Sequence, residues 1–186
     1  MNETLLDVIN GAAGKSHVLD QLAVFLANDG IFVLGACILA LGLFELRRDR
    51  RRAFEVAAAG ALALAIALAV VMVSGLFVNE ARPFVHDHDT VLLMQHAADN
   101  SFPSDHATVA FAGAVVAALA WPRWGVACIA AAVVIGLARV FAGVHFPGDI
   151  AAGAAIGTLA AIAAWAVVRR IAEPIAARLA PASVRA

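Results

Sequence analysis

Five long apolar stretches recur along this chain of 186 residues and constrain its fold more than any other feature. A helix needs about 20 residues to cross the hydrocarbon core of a bilayer, because each residue adds only about 1.5 Å. Hydrophobic residues make up 63% of the chain, and the mean hydropathy is +0.88, which is typical of membrane proteins rather than soluble domains. The sequence therefore predicts an all-α fold, a polytopic membrane helix bundle in a single domain, residues 1–186. The predicted transmembrane spans are residues 31–46, 53–78, 107–121, 124–144 and 150–168.

The N-terminal segment differs from this pattern. Residues 1–28 mix polar and apolar positions and are interrupted at Gly11 and Gly14, which predicts two short interfacial helices. The competing interpretation is a sixth span over residues 18–27, although that run is short and contains Asp20. No basic segment precedes an apolar core at the start of the chain, so no cleaved signal peptide is expected.

Arginines indicate how the bundle is oriented. They cluster in residues 47–52, at Arg123 and in residues 169–170, which are alternate span ends and therefore lie on one side of the membrane. Basic residues accumulate on the cytoplasmic side of membrane proteins. The loop of residues 79–103 and the turn of residues 143–147 are then predicted to face outward.

The rest of the domain division follows from these spans. The transmembrane bundle is predicted to cover residues 29–170, and residues 171–186 are expected to form a cytoplasmic tail, a short surface helix broken at Pro174 and Pro181. The net charge is only −1, which gives no reason to expect nucleic acid as a partner.

Polar residues gather at the predicted outer ends of the spans. Pro103 prevents an upstream helix from continuing, and Ser104 is placed to cap the helix that follows. The start of a helix carries unpaired N–H groups and partial positive charge, which favour an anion. Arg139 lies inside an apolar run, where a charge is costly and commonly functional. The candidate site residues are Glu80, Arg82, Ser104, Asp105, His106, Arg139, His145 and Asp149.

His145 and Asp149 have a spacing that suits catalysis. The two residues are four apart at the start of a helix. At this spacing the carboxylate can bind one imidazole nitrogen and leave the other nitrogen as a nucleophile. Two arginines to hold phosphoryl oxygens and a second histidine to protonate the leaving group complete a set suited to phosphoryl transfer without a metal. Singly, these residues are also typical of a capped helix, a first-turn acid or an arginine that snorkels to the interface.

The loop before the third span contains a second polar group: His86, Asp87, His88, Asp89 and His96. A metal site is conceivable, but solvated polar surface is the favoured interpretation, and no metal or other cofactor is predicted. The apolar residues 91–94 within this loop are expected to dip into the membrane interface, where they would guide a prenyl chain.

Three motifs together resemble the signature of the type 2 phosphatidic acid phosphatase (PAP2) superfamily. They are Arg82-Pro83, then Pro103-Ser104-Asp105-His106, then Arg139 followed by His145 and Asp149. With Asp105 where many members have glycine, the second motif is similar to that of the bacitracin-resistance type of undecaprenyl-diphosphate phosphatase. The stretch His96-Ala97-Ala98-Asp99 and the N-terminal region with His17 and Leu19-Asp20 share this likeness.

The resemblance implies a role for each motif residue. His145 would be the nucleophile, Asp149 would orient it, and His106 would be the acid for the leaving group. Arg82, Ser104 and Arg139 would hold the phosphate, and we place Asp105 and Glu80 in the same substrate-binding group. Two positions depart from the family pattern: Gly75 stands where a lysine is usual, and Ala138 stands where a serine precedes the arginine.

By this resemblance the expected function is the conversion of undecaprenyl diphosphate to undecaprenyl phosphate through a phosphohistidine. The expected location is the bacterial cytoplasmic (inner) membrane, with the site facing outward, and the expected partners are a polyprenyl diphosphate and membrane lipids. The alternative within enzymes is a phosphatase for phosphatidic acid or phosphatidylglycerol phosphate. The alternative of another class is a non-catalytic protein that binds or translocates lipid phosphates. The sequence makes no prediction of the oligomeric state.

Overall fold

The computed structural model describes residues 2–179, with side chains for residues 2–172, and this part of the chain is helical with no strand. The all-α prediction is therefore confirmed. The helices are α1 (Asn2–Asn10), α2 (His17–Asn28), α3 (Gly30–Arg48), α4 (Arg50–Ser74), α5 (Pro83–His86), α6 (Asp105–Ala120), α7 (Pro122–Phe141) and α8 (Pro147–Leu179).

Helices α3, α4, α7 and α8 are long and apolar enough to cross a membrane. The fifth predicted span is α6, which is equally apolar but has only 16 residues. Half of the α6 residues are buried, because α6 lies among α3, α4, α7 and α8. The protein is thus a multi-pass membrane helix bundle in which the shortest apolar helix is the central one.

The N-terminal segment forms two separate helices, as predicted. Helix α2 has 12 residues, too few for the sixth span that was the alternative. Both helices pack on the C-terminal half of α7: Leu6 contacts Val140, and Ala27 contacts Ala138. The two short helices therefore cover the end of the bundle where the predicted site residues lie.

Two predicted boundaries are wrong. Helix α4 ends at Ser74 instead of residue 78, and α8 continues through Pro174 to Leu179 instead of breaking there. A proline inside a helix removes one backbone hydrogen bond, and the helix can kink there without ending. Pro181 and the rest of the predicted tail, residues 180–186, lie outside the described residues.

Helices α6 and α8 meet at backbone distance through Gly153 and Gly157 of α8. A β-carbon at Gly153 would lie 2.7 Å from the carbonyl oxygen of Ser104 and 2.9 Å from Oγ1 of Thr108, and one at Gly157 would overlap the Thr108 carbonyl. Small residues four apart allow this close approach between membrane helices. As a result the start of α6 is held beside the start of α8, where the Ser104 N–H donates to the Asp149 carbonyl at 3.2 Å.

We expect Gly157→Val to destabilise the protein by about 1–3 kcal/mol, because the added methyl groups force α6 and α8 apart. The measurement is the free energy of unfolding in detergent. Ala155→Val is the matched control, since Ala155 is exposed on the same helix. Equal stability of the two variants would show that the helices do not depend on this contact.

Candidate active site

The turn between α7 and α8, residues 142–146, places His145 between Asp149 and the two arginines Arg82 and Arg139. Gly143 has a φ of +77°, and its missing β-carbon makes room for the backbone carbonyl of Val91, so a side chain here would be both strained and crowded. Asn10, buried on α1, fixes the arrangement: its amide donates to the carbonyls of Val91 and Phe141, each at 2.8 Å.

His145 and Asp149 form a buried pair, with 3% and 0% of their surfaces exposed. The His145 Nδ1 lies 3.3 Å from the Asp149 Oδ2. The same oxygen accepts hydrogen bonds from the hydroxyl of Ser101 at 2.5 Å and from the N–H of Phe146 at 2.9 Å. A carboxylate held in this way places the imidazole proton on Nδ1 and leaves a lone pair on Nε2.

Two arginines converge on that Nε2 atom from different elements. Arg82 precedes α5, and Arg139 lies in the last turn of α7. Their side chains are 5% and 2% exposed. Nη1 of Arg82 and Nη2 of Arg139 each lie 3.3 Å from the His145 Nε2. Two guanidinium groups around one nucleophilic nitrogen form a site for a phosphoryl group, whose oxygens match the planar donor fork of arginine.

Arg82 is held by several acceptors. Its Nε donates to the Asp99 Oδ1 at 2.7 Å, and its two Nη atoms donate to the carbonyls of Val144 and Asn100 at 2.8 and 3.3 Å. Burial acts to raise the pKa of Asp99, but the hydrogen bond and charge of Arg82 outweigh it and lower that pKa overall. Asp99 is therefore ionised at neutral pH and balances the charge of Arg82.

Arg139 has no carboxylate contact among the described residues. Its Nη1 donates to the Ala27 carbonyl at 3.3 Å, its Nη2 lies 3.1 Å from the His96 Nε2, and its buried Nε has no partner. A buried cation with a free donor is costly, and an anion bound beside it relieves that cost. Arg139 thus presents a buried positive charge to the site.

His96 lies on the open side of Arg139. Its Nδ1 is 3.1 Å from the Ala97 carbonyl, so Nδ1 carries the proton and Nε2 accepts from Arg139. Burial lowers the pKa of His96, the bond to the Ala97 carbonyl opposes this, and the charges of Arg82 and Arg139 lower it further. The neutral ring is therefore the form that meets Arg139.

The start of α6 forms another wall of the site. Ser104 is fully buried, and its hydroxyl accepts from the N–H of Ala107 at 3.4 Å, so it caps α6 as predicted. His106 is partly buried and lies within electrostatic range of Arg139 and His145. Asp105 is exposed. The second predicted motif and the third are therefore adjacent in space.

The Glu80 side chain lines a pocket beside the site rather than contacting Arg82. The carboxylate that contacts Arg82 belongs to Asp99, whereas Glu80 lines a neighbouring pocket of about 310 Å³ with Glu3, His86 and Phe146. Burial raises the pKa of Glu80, as does the charge of Asp149, while His86 lowers it. The Glu80 backbone contributes more directly, because its carbonyl accepts from the Ser101 N–H at 2.8 Å.

The two positions that depart from the family pattern are Gly75, at the end of α4, and Ala138, in α7. Gly75 has an ordinary helical φ, and a β-carbon there would meet nothing closer than 3.6 Å. Room for a side chain is therefore present, near the amide of Asn100. Ala138 is buried against Ala27 of α2.

The predicted polar loop is partly ordered by protein contacts. His86 pairs with Glu3 at 3.4 Å, and within residues 2–179 no group of three or more His, Cys, Asp and Glu side chains is arranged to hold a metal. Leu93 and Met94 pack against the apolar surface of Ala138 and Ala142. Val91 and Leu92 remain more than a third exposed.

Three residues that complete the site were not among the predicted site residues. Ser101 binds Asp149, Asp99 binds Arg82, and His96 binds Arg139. All three lie in the polar stretch that leads into α6. The concentration of polar residues in this stretch was the sequence feature that could have indicated them. Spacing along a loop cannot show which side chain meets which arginine.

Comparison with known proteins agrees with this geometry. Residues 55–173 match the PAP2 superfamily. YbjG of Escherichia coli (strain K12), by name a candidate undecaprenyl-diphosphatase, is 35% identical over 96% of this chain and 88% of its own length. BcrC of Bacillus subtilis (strain 168), named undecaprenyl-diphosphatase, is 29% identical over 81% of this chain and 75% of its own. A lipid A 1-phosphatase of Rhizobium etli is 33% identical over 82% of this chain and 73% of its own length.

Ser101→Ala should lower kcat in a phosphate-release assay by about tenfold, or ~1.4 kcal/mol of transition-state stabilisation. The reason is that Asp149 loses one of the hydrogen bonds that fix its orientation toward His145. KM should change little, because the hydroxyl lies behind His145 on the side away from the arginines. Ser74→Ala is the control, since the Ser74 hydroxyl bonds only within α4, to the Val71 carbonyl. A wild-type kcat for Ser101→Ala would contradict this positioning role.

Proposed function

Because the chain belongs to the PAP2 superfamily, we propose that it is the lipid phosphatase that hydrolyses undecaprenyl diphosphate to undecaprenyl phosphate. The observation that carries the proposal is the convergence of Arg82 and Arg139 on the Nε2 of His145, each at 3.3 Å. The names of two relatives, YbjG and BcrC, favour undecaprenyl diphosphate as the substrate.

The first chemical step is transfer of the terminal phosphoryl group to His145. The arginines hold its oxygens, the Nε2 lone pair forms a bond to phosphorus, and the bond from phosphorus to the bridging oxygen breaks. Undecaprenyl phosphate leaves with the electron pair of that bond, and His106 donates a proton to it. The unpaired N–H groups at the start of α6 add positive potential on the same side.

The second step is hydrolysis of the phosphohistidine. His106, now neutral, accepts a proton from water, whose oxygen attacks phosphorus and releases inorganic phosphate. The N–P bond breaks and returns the electron pair to Nε2. Asp149 stabilises the imidazole through Nδ1 in both steps, as a carboxylate does in the Ser-His-Asp triad.

The protonation state of His145 supports its role as nucleophile. Burial lowers its pKa, the hydrogen bond to Asp149 raises it, and the charges of Arg139 and Arg82 lower it, with a net value of about 4. The ring is therefore neutral at pH 7, and its Nε2 is available for attack.

A lipid phosphate with a different head group is the second candidate substrate, favoured by the relative named lipid A 1-phosphatase. A non-catalytic lipid-binding protein would need the two cations but not a buried His–Asp pair behind them. The His145–Asp149 arrangement therefore favours an enzyme.

We place the enzyme in the bacterial cytoplasmic membrane with the site facing outward. Arg47 and Arg48 end α3, and Arg123 lies in the first turn of α7. These arginines are at the opposite end of the bundle from His145, and the positive-inside rule puts them in the cytoplasm.

The substrate is tested by phosphate release from undecaprenyl diphosphate, lipid A and phosphatidic acid in the presence of EDTA. We expect kcat/KM to be highest for undecaprenyl diphosphate by at least about tenfold, and chelation to leave most of the activity because side chains supply the positive charge. A higher kcat/KM on lipid A would support the second candidate. Loss of all activity on chelation, restored by one metal, would contradict the histidine mechanism.

Orientation is tested by labelling single cysteines in intact cells, with Cys37 and Cys128 replaced by alanine. Asp89→Cys should react with an impermeant maleimide, and Arg50→Cys should react only after the membrane is permeabilised. Both positions are exposed, so accessibility within the protein does not bias the comparison. Labelling of Arg50→Cys alone would reverse the orientation.

A further inference from the structure

An apolar groove of about 490 Å³ lies between α3, α4 and α6, outside the site described above. Its lining consists only of apolar side chains and glycines. The volume is within the range of small-molecule pockets, roughly 300–1,000 Å³. From Ile31 to Leu46 the groove follows α3 for about 22 Å, at ~1.5 Å per residue, which is most of the thickness of the hydrocarbon core.

Three glycines make the groove wide. Gly35 and Gly42 of α3 and Gly60 of α4 line it, and a β-carbon at any of them would meet no atom within 4 Å. They contrast with Gly153 and Gly157, where a neighbouring helix fills the space. Glycine inside a helix costs about 1 kcal/mol relative to alanine. At these three positions neither a positive φ nor a close helix contact explains why glycine is present. The glycines instead leave open space.

One end of the groove adjoins the site. Val109 and Ala110 of α6 line it and follow His106 by about one turn. Ile31 also lines it and lies one turn beyond Ala27, whose carbonyl accepts from Arg139. The groove therefore begins within about one helical turn of residues at the site.

The other end is closed by polar contacts. Trp121 lines the groove there, and its indole N–H donates to the Glu45 Oε2 at 2.9 Å. Arg52 lies 3.9 Å from the same carboxylate group. The groove thus extends along the bundle toward the predicted cytoplasmic boundary, where these polar contacts bound it.

We propose that this groove binds the isoprenoid chain of the substrate beyond its first two units. The proposal rests on the function proposed above and adds where the chain lies. The groove lies close to the site, and this favours the substrate chain over a bulk phospholipid chain. The substrate chain is attached to the phosphate bound at Arg139, whereas a bulk phospholipid is not. The branched methyl groups of an isoprenoid chain also need more width than a straight acyl chain, and the three glycines supply it.

The test is to fill the groove and compare a long substrate with a short one. The double variant Gly42→Leu/Gly60→Leu places two side chains in open space, so the fold is expected to be retained. Ala40→Leu is the matched control, because Ala40 is exposed on α3 and does not line the groove. The substrates are undecaprenyl diphosphate and geranyl diphosphate, whose short chain lies mainly within the site.

We expect the double variant to lower kcat/KM for undecaprenyl diphosphate by at least about tenfold, mainly through KM, as loss of chain binding requires. Turnover of geranyl diphosphate should remain within about twofold of wild type, which also shows that the site is intact. The Ala40→Leu control should match wild type on both substrates.

Other occupants give different results. If a bulk phospholipid chain or a second copy of the protein fills the groove, the two substrates respond alike to the double variant, and the proposal is overturned. Failure of the proposed function is separate, because wild-type protein would then hydrolyse neither diphosphate. Wild-type hydrolysis of both, with no selective loss in the double variant, would contradict the groove proposal alone.

Discussion

The backbone contact between α6 and α8 is the constraint on which the site depends. Gly153 and Gly157 let the two helices touch, and this brings the segment before α6 against the first turn of α8. The hydroxyl of Ser101 can then reach Asp149, and Asp149 can hold His145. Membrane helices gain little from the hydrophobic effect on association, so close packing of this kind is a principal source of their specificity.

Electrostatics explains why this arrangement should bind a phosphate. Arg82 is balanced by Asp99, while Arg139 is buried with a free Nε and no carboxylate contact among the described residues. Removing an ion from water costs several kcal/mol in a protein interior. A bound phosphate offsets that cost, which favours binding. The interaction between the arginine and the phosphate strengthens further as charge develops in the transition state. His96 keeps Arg139 in place through a neutral ring, so it adds no competing charge.

Much of the architecture and the pairing of His145 with Asp149 could be predicted from the sequence, because both have strong local signals. Apolar runs of span length and arginines at alternate ends define the bundle, and the spacing of His145 and Asp149 defines a pair. The partners of Arg82 and Arg139 depend on how an irregular loop folds back, and no periodicity encodes that. Glu80 and Asp99 are equally acidic in the sequence, but only the structure shows that Asp99 contacts Arg82. The groove could not be predicted either, because the sequence does not distinguish a glycine that leaves open space from a glycine that permits close helix contact.

The central claim is that the His145 Nε2 receives the phosphoryl group, and trapping the intermediate tests it most directly. Enzyme mixed with undecaprenyl diphosphate labelled at the terminal phosphate is quenched in alkali, digested and analysed by mass spectrometry with electron-transfer fragmentation. A phosphohistidine is stable to base and labile to acid. We expect the label on His145 at Nε2, and none in Arg139→Ala, which retains the nucleophile but lacks a phosphate-holding arginine. Full turnover with no phosphoenzyme in wild type, together with activity of His145→Ala above a few per cent, would contradict the mechanism.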